Sequence, residues 1–200
     1  MRTSLLRPYF RIWGEETLKL LAEATVWEDE RCPASSAGPG ASNPVFAMFR
    51  QNLAGTSVGV FAQRFRDPGA EDDLMFDVQH PHSIRIGSTL YPHIHWSPND
   101  AVVADVGWGI EYSEANINTI FPVTTSELIA FPTSGVQYSH DVSSWSPIPL
   151  ADRGISGMFK ARIFRSDAGG IDTYAAVAWL HEFDIHFEVD TMGSRTEFTK

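Results

Sequence analysis

The chain predicts an all-β protein: an antiparallel jelly-roll or β-sandwich with a short N-terminal arm containing one helix. Three observations carry this. Residues 178–190, Ala-Trp-Leu-His-Glu-Phe-Asp-Ile-His-Phe-Glu-Val-Asp, alternate strictly. Trp179, Phe183, Ile185, Phe187 and Val189 take one parity, and Glu182, Asp184, His186, Glu188 and Asp190 the other. A period of two over this length describes a strand with one buried and one wet face, which belongs in an antiparallel sheet. Strand-like runs also follow one another from residue 56 onward, punctuated by Asp67-Pro68-Gly69, Ser97-Pro98-Asn99-Asp100 and Ser166-Asp167-Ala168-Gly169-Gly170. Finally, no helical periodicity appears after residue 25.

Taken in order, residues 1–13 are basic and aromatic. Residues 14–24 read as a short helix, with Glu15 and Glu16 in the first turn and Leu18, Leu21 and Ala22 on one face. Residues 32–44, rich in Pro, Ser and Gly, read as a loop. This divides the chain into an arm, helix and loop over 1–45 and a sandwich domain over 46–200. The strands fall at 56–65, 73–79, 90–96, 104–113, 117–130, 136–142, 157–165 and 173–190. Parity within them selects a core of Leu74, Phe76, Val78, Trp108, Ile110, Phe159, Ile163, Phe183, Ile185 and Phe187. Each such side chain is worth about 1.5–3 kcal/mol when buried. Gly107 and Gly109 inside a strand indicate a bulge or close packing by a neighbour.

Composition narrows the function. The chain has 200 residues, of which 43% are apolar, with 13 Phe and 6 Trp, enough for one aromatic-rich core. A net charge of −10 argues against a nucleic-acid or anionic-membrane partner. The single cysteine, Cys32, excludes an internal disulfide and fits a reducing cytoplasm. No apolar run is long enough to span a bilayer, and Pro8 and Arg11 make the N-terminus a poor signal peptide.

The sharpest chemical motif is Gly87-Ser-Thr-Leu-Tyr-Pro-His93-Ile-His95. It opens like the first motif of the metal-binding cupins, with Asp100 and Gly107 near that motif's acid and glycine. Two His at i and i+2 share a strand face and can share an ion. No second motif supplies a third His, however. Parity gives Leu90, Ile94 and Trp96 to the interior and leaves Tyr91, His93 and His95 on an outer or subunit-facing surface. The expectation is therefore no catalytic residue, no cofactor and no metal; the alternative is a cupin-like metal-dependent enzyme with His93 and His95 as the candidate ligands. The carboxylates of 182–190 read as a solvated face, with Lys160 and Arg162 as cross-sheet partners. His80-Pro81-His82 reads as a loop, and His181, on the apolar parity, as a core histidine.

Four segments carry a resemblance: Ala24-Thr-Val-Trp-Glu-Asp-Glu-Arg31; Leu90-Tyr-Pro-His-Ile-His-Trp96; Val106-Gly-Trp-Gly-Ile-Glu-Tyr112 with Ala115-Asn116-Ile117; and Phe183-Asp-Ile-His-Phe-Glu-Val-Asp-Thr-Met-Gly-Ser-Arg195. Together they resemble a family of tailed-phage and prophage proteins, from about residue 24 to the end. The resemblance implies a virion component with a jelly-roll body, not an enzyme. It would be a capsid decoration (cement) protein, a homo-oligomer and specifically a trimer, made in the bacterial cytoplasm and seated on the capsid exterior against the major capsid protein. A head-fibre or tail-appendage adaptor is the alternative role. Residues 1–23 lie outside the resemblance. There Arg7, Tyr9, Phe10, Arg11 and Trp13 form the expected docking interface, because Arg and aromatic side chains concentrate at interface hot spots.

Overall fold

The computed structural model describes residues 26–149 and 152–200. The proposed helix and the docking residues Arg7, Tyr9, Phe10, Arg11 and Trp13 lie outside this range. Within it the protein is a sandwich of two antiparallel sheets built from β1 (Val26–Pro33), β2 (Gly38–Pro39), β3 (Val45–Arg50), β4 (Val60–Phe65), β5 (Asp73–Gln79), β6 (Tyr91–Pro98), β7 (Asp105–Ala115), β8 (Thr125–Pro132), β9 (Asp141–Ser144), β10 (Met158–Arg165) and β11 (Ala178–Val189). One sheet runs β3-β4-β11-β6-β9 with β1 also paired to β11; the other runs β2-β5-β10-β7-β8. No helix among the described residues is long and apolar enough to cross a membrane.

The core lies between the sheets, and all ten side chains selected by parity are in it. Aromatic rings dominate. Phe76 and Phe183 meet across the sandwich at 5.3 Å, and Trp108 packs on Phe65 at 5.0 Å. The two strand glycines mark close approaches: a Cβ on Gly107 would sit 2.2 Å from the Ser166 carbonyl oxygen, and one on Gly109 2.2 Å from the Phe164 ring.

The sandwich begins earlier than residue 46. β1 pairs with β11 from Val26↔Val189 to Pro33↔Glu182, and β2 pairs with β5. Residues 26–33 and 38–39 are thus part of the sheets, because backbone pairing recruits stretches whose own pattern is too polar or too short to announce itself. Several strands are shorter than predicted, since the flanking Gly, Asn and Pro residues extend the turns: 51–59, 116–124 and 133–140 are loops. The expected pairing of Lys160 and Arg162 with the β11 carboxylates does not occur, because β10 lies in the opposite sheet. Lys160 joins Asp77 at 2.6 Å and Arg162 joins Asp73 at 2.6 Å.

Buried ion pairs close the ends of the sandwich. Arg165 donates through Nε and Nη2 to Asp172 at 2.8 and 3.0 Å, and also donates to the Arg66, Tyr174 and Ala176 carbonyls. Arg153, fully buried, donates to both oxygens of Glu114 at 2.7 and 2.8 Å, and His80 Nε2 donates to Glu114 at 2.6 Å. Burial alone would raise the Glu114 carboxyl, but the hydrogen bonds from His80 and Arg153 prevail and hold it down at about 2.

A carboxyl depressed on folding stabilises fully above its ordinary value of 4.5, and that stability drains away as pH falls toward about 2. Urea unfolding between pH 6 and pH 2.5 should show this loss. Glu114→Gln should cost about 3–5 kcal/mol at pH 7, because it strands a buried guanidinium, and should flatten the acid limb. A variant as stable as the parent at pH 7 would show that the cluster is not holding the fold.

Candidate functional site

The site lies on the outer face of the six-stranded sheet, where β11 runs between β6 and β1. Cross-strand partners share a face, and the register assembles three rows. Asp184 of β11 stands opposite His93 of β6 and Arg31 of β1. Glu182 stands opposite His95, and His186 lies between Tyr91 and Asp29. Leu90, Ile94 and Trp96 go to the core, so the His pair points outward, as its parity requires. An outward pair is not the inward-facing arrangement of a cupin. Asp100 is not near it either; it bonds to the Tyr174 hydroxyl.

The outer face is nevertheless not a plain wet surface. His93, His95, His140, His181, Tyr138 and Phe49 help line a cleft of about 690 Å³. Its floor is buried: His93 is 4% and Asp184 3% exposed. The imidazole Nε2 atoms of both His93 and His95 face Asp184 Oδ2, at 3.7 and 3.2 Å. Their Nδ1 atoms are engaged elsewhere, His93 to the Tyr91 carbonyl at 3.3 Å and His95 to His140 Nε2 at 2.7 Å. One ligand atom from each of His93, His95 and Asp184 can be chosen so that all lie within 4.8 Å of one another.

Asp184 is under electrostatic stress. Burial, reinforced by the Glu182 carboxylate, pushes its carboxyl up to about 7. Arg31 stands opposite in register but gives its guanidinium to Glu182, at 2.7 and 2.9 Å. Among the described residues Asp184 Oδ1 is buried without a hydrogen-bond partner. Burial also lowers the His93 and His95 imidazoles, which favours their neutral forms.

Two sequence expectations change here. The carboxylates of β11 are not uniformly solvated, because Asp184 is covered by its neighbours. His181 is not in the core: a bulge between Leu180 and Glu182 reverses the parity of β11. Ala178 and Leu180 therefore face the core, while Trp179 and His181 face outward onto Phe49, and His181 shares a hydrogen bond with Ser97 at 2.8 Å. The His80-Pro81-His82 segment is a loop, as its sequence suggests, and does not join the His pair. His80 serves Glu114, and His82 bonds Ser156 and Ser194 at 2.9 and 2.7 Å. Cys32 is half-buried, and burial with Glu30 nearby pushes its thiol up to about 12, which makes it unreactive.

No protein-family model matches the chain, and no curated protein matches it. Among solved structures it is similar to Arthrobacter globiformis isomalto-dextranase complexed with panose, at 16% identity and a TM-score of 0.48 over 82% of this chain and 23% of that one. It is also similar to the CBM36-1 domain of a multidomain xylanase from the Trinervitermes trinervoides hindgut metagenome, at 9% identity and a TM-score of 0.43 over 79% of this chain and 96% of that domain. The bacteriophage CBA120 tailspike protein 4 matches at 8% identity and a TM-score of 0.40, over 82% of this chain and 19% of that one. The chain spans under a quarter of the length of the isomalto-dextranase. These likenesses are confined to the two-sheet sandwich.

A carboxyl raised on folding loses stability as pH climbs from its ordinary value of 3.8 to its folded value of about 7, and the full cost is present above that. In chelator at pH 8, Asp184→Asn should therefore be more stable than the parent toward urea, and at pH 5 the gap should narrow. A variant less stable at pH 8 would show that the buried carboxylate is favourably held.

Proposed function

We propose that the protein is a structural component of a tailed-phage virion, specifically a capsid decoration protein that bridges shell subunits as a trimer on the capsid exterior. The observation that carries this reading is an apolar edge left open among the described residues. β3 ends the six-stranded sheet, and an edge strand normally carries charge, proline or cover. Here Phe46 and Met48 of β3 and Phe61 of β4, which share one face, are 43–53% exposed, with the Phe46 and Phe61 rings 5.7 Å apart. Phe61 shares its parity with Phe65, which is in the core, so this apolar surface continues the inward face beyond the reach of the second sheet. Contiguous apolar surface at an open edge fits a partner. The tailed-phage resemblance supplies the partner class, the major capsid protein.

The mechanism is thermodynamic. Surface buried only in the assembled shell makes rupture costlier, because a protein that binds the assembled form alone favours it by mass action. On this reading the molecule is an adhesive and not an enzyme. Arg7, Tyr9, Phe10, Arg11 and Trp13 add a second contact on the N-terminal side. The adaptor role at a fibre or tail has its own support in the aromatic lining of the cleft, where Phe49, Tyr91 and Tyr138 suit a bound ligand.

Imaging of virions separates the two. Decoration predicts density over every capsomer in register with the lattice; density at a single vertex would favour the adaptor. In a capsid-binding assay, deleting residues 1–13, or the double substitution Phe46→Asp and Phe61→Asp, should abolish attachment. Both residues of the pair are exposed, and such surface changes move stability by only about 0.5 kcal/mol, so the body should stay folded. Undiminished attachment of both variants would overturn the assignment.

A further inference from the structure

We infer that His93, His95 and Asp184 form a binding site for one divalent transition-metal ion, with Zn²⁺ the best fit, on the outer face of β6 and β11. The inference goes beyond the virion role and does not depend on it.

Geometry carries it first. A tetrahedral ion bound at ~2.0–2.2 Å holds its nitrogen and oxygen ligands about 3.3 Å from one another. His95 Nε2 and His93 Nε2 stand 3.2 and 3.7 Å from Asp184 Oδ2, so small side-chain rotations close the shell. Sequence-distant strands deliver these atoms to one place because Asp184 and His93 are partners in register.

The hydrogen-bond accounting carries it further. A ligating imidazole uses one nitrogen for the metal and anchors the other on a carbonyl, carboxylate or similar group. His93 Nδ1–H can donate to the Tyr91 carbonyl, which leaves Nε2 with a bare lone pair directed toward a carboxylate oxygen. His95 Nδ1 shares a hydrogen bond with His140 Nε2 at 2.7 Å, and in the tautomer in which His95 Nδ1–H donates, its Nε2 lone pair also faces Asp184. In these tautomers two imidazole lone pairs and a carboxylate converge, and one cation among them would satisfy all three. A single proton on Asp184 would serve one imidazole and leave the other facing oxygen. Asp184 Oδ1, buried and without a partner among the described residues, offers a further lone pair on the same side chain.

Ligand chemistry selects the ion. Two imidazole nitrogens and one carboxylate suit Zn²⁺ and its first-row neighbours, whereas Ca²⁺ and Mg²⁺ take oxygen shells. Three protein ligands leave a fourth position, which opens to the cleft beside His140 for water or a donor atom of a bound molecule.

The test uses the full chain, dialysed against chelator and titrated with Zn²⁺ by calorimetry at pH 7.5. The expected result is one Zn²⁺ per chain with a dissociation constant below ~10 µM, accompanied by a rise in Tm. Asp184→Asn and His93→Ala should each weaken binding by more than the ~10–100-fold that losing an outer partner costs. His82→Ala, remote from the cleft, should leave it unchanged. Should His93→Ala fail to fold, the isosteric Asp184→Asn decides alone. Absence of saturable binding would overturn the inference. So would binding that both ligand variants retain, since that would place the ion on other surface histidines.

Discussion

The fold and the site depend on one constraint: β11 is an interior strand. It pairs with β6 along most of its length on one side, and with β4 and then β1 on the other. Its inner face drives Phe183, Ile185 and Phe187 into the core. Its outer face cannot escape to an edge, so each outward residue is flanked by cross-strand neighbours from both sides. A polar row that looks solvated in one dimension becomes crowded in two. Asp184 is buried for this reason, and the imidazoles meet it for the same reason.

Much of the body was legible from residue periodicity. The ten core side chains follow from parity alone, because an antiparallel sandwich buries one face of each strand and the alternation records which. The missed strands share a physical explanation. β1, Val-Trp-Glu-Asp-Glu-Arg-Cys-Pro, lies at an exposed margin and has no apolar stripe; β2 is two residues of Gly-Pro; β3, Val-Phe-Ala-Met-Phe-Arg, is apolar on both faces. Their assignment comes from backbone pairing, to which local pattern is blind. The bulge at His181 is likewise invisible in sequence, and it moved Trp179 from the expected core face to the outer one.

Two of the three residues of the candidate site were legible. His-Ile-His on a strand announces two ligands on one face, and parity placed them outside. The third ligand was hidden within an acidic ladder whose members look alike. Only the register between β6 and β11 distinguishes Asp184 from Glu182, and neither strand encodes that register by itself. Arg31 completes the distinction by neutralising Glu182 and leaving Asp184 without a guanidinium.

The two functional readings are compatible, because an adhesive module must resist deformation. Buried pairs such as Arg153–Glu114 and Arg165–Asp172 fasten loops to sheet ends, and an ion held between β6 and β11 would clamp the middle. The most direct measurement is X-ray absorption at the zinc edge of the loaded protein. The account predicts a first shell containing two imidazole nitrogens at ~2.0–2.1 Å and a carboxylate oxygen. A shell containing sulfur, or one of oxygen alone without imidazole scattering, would contradict it.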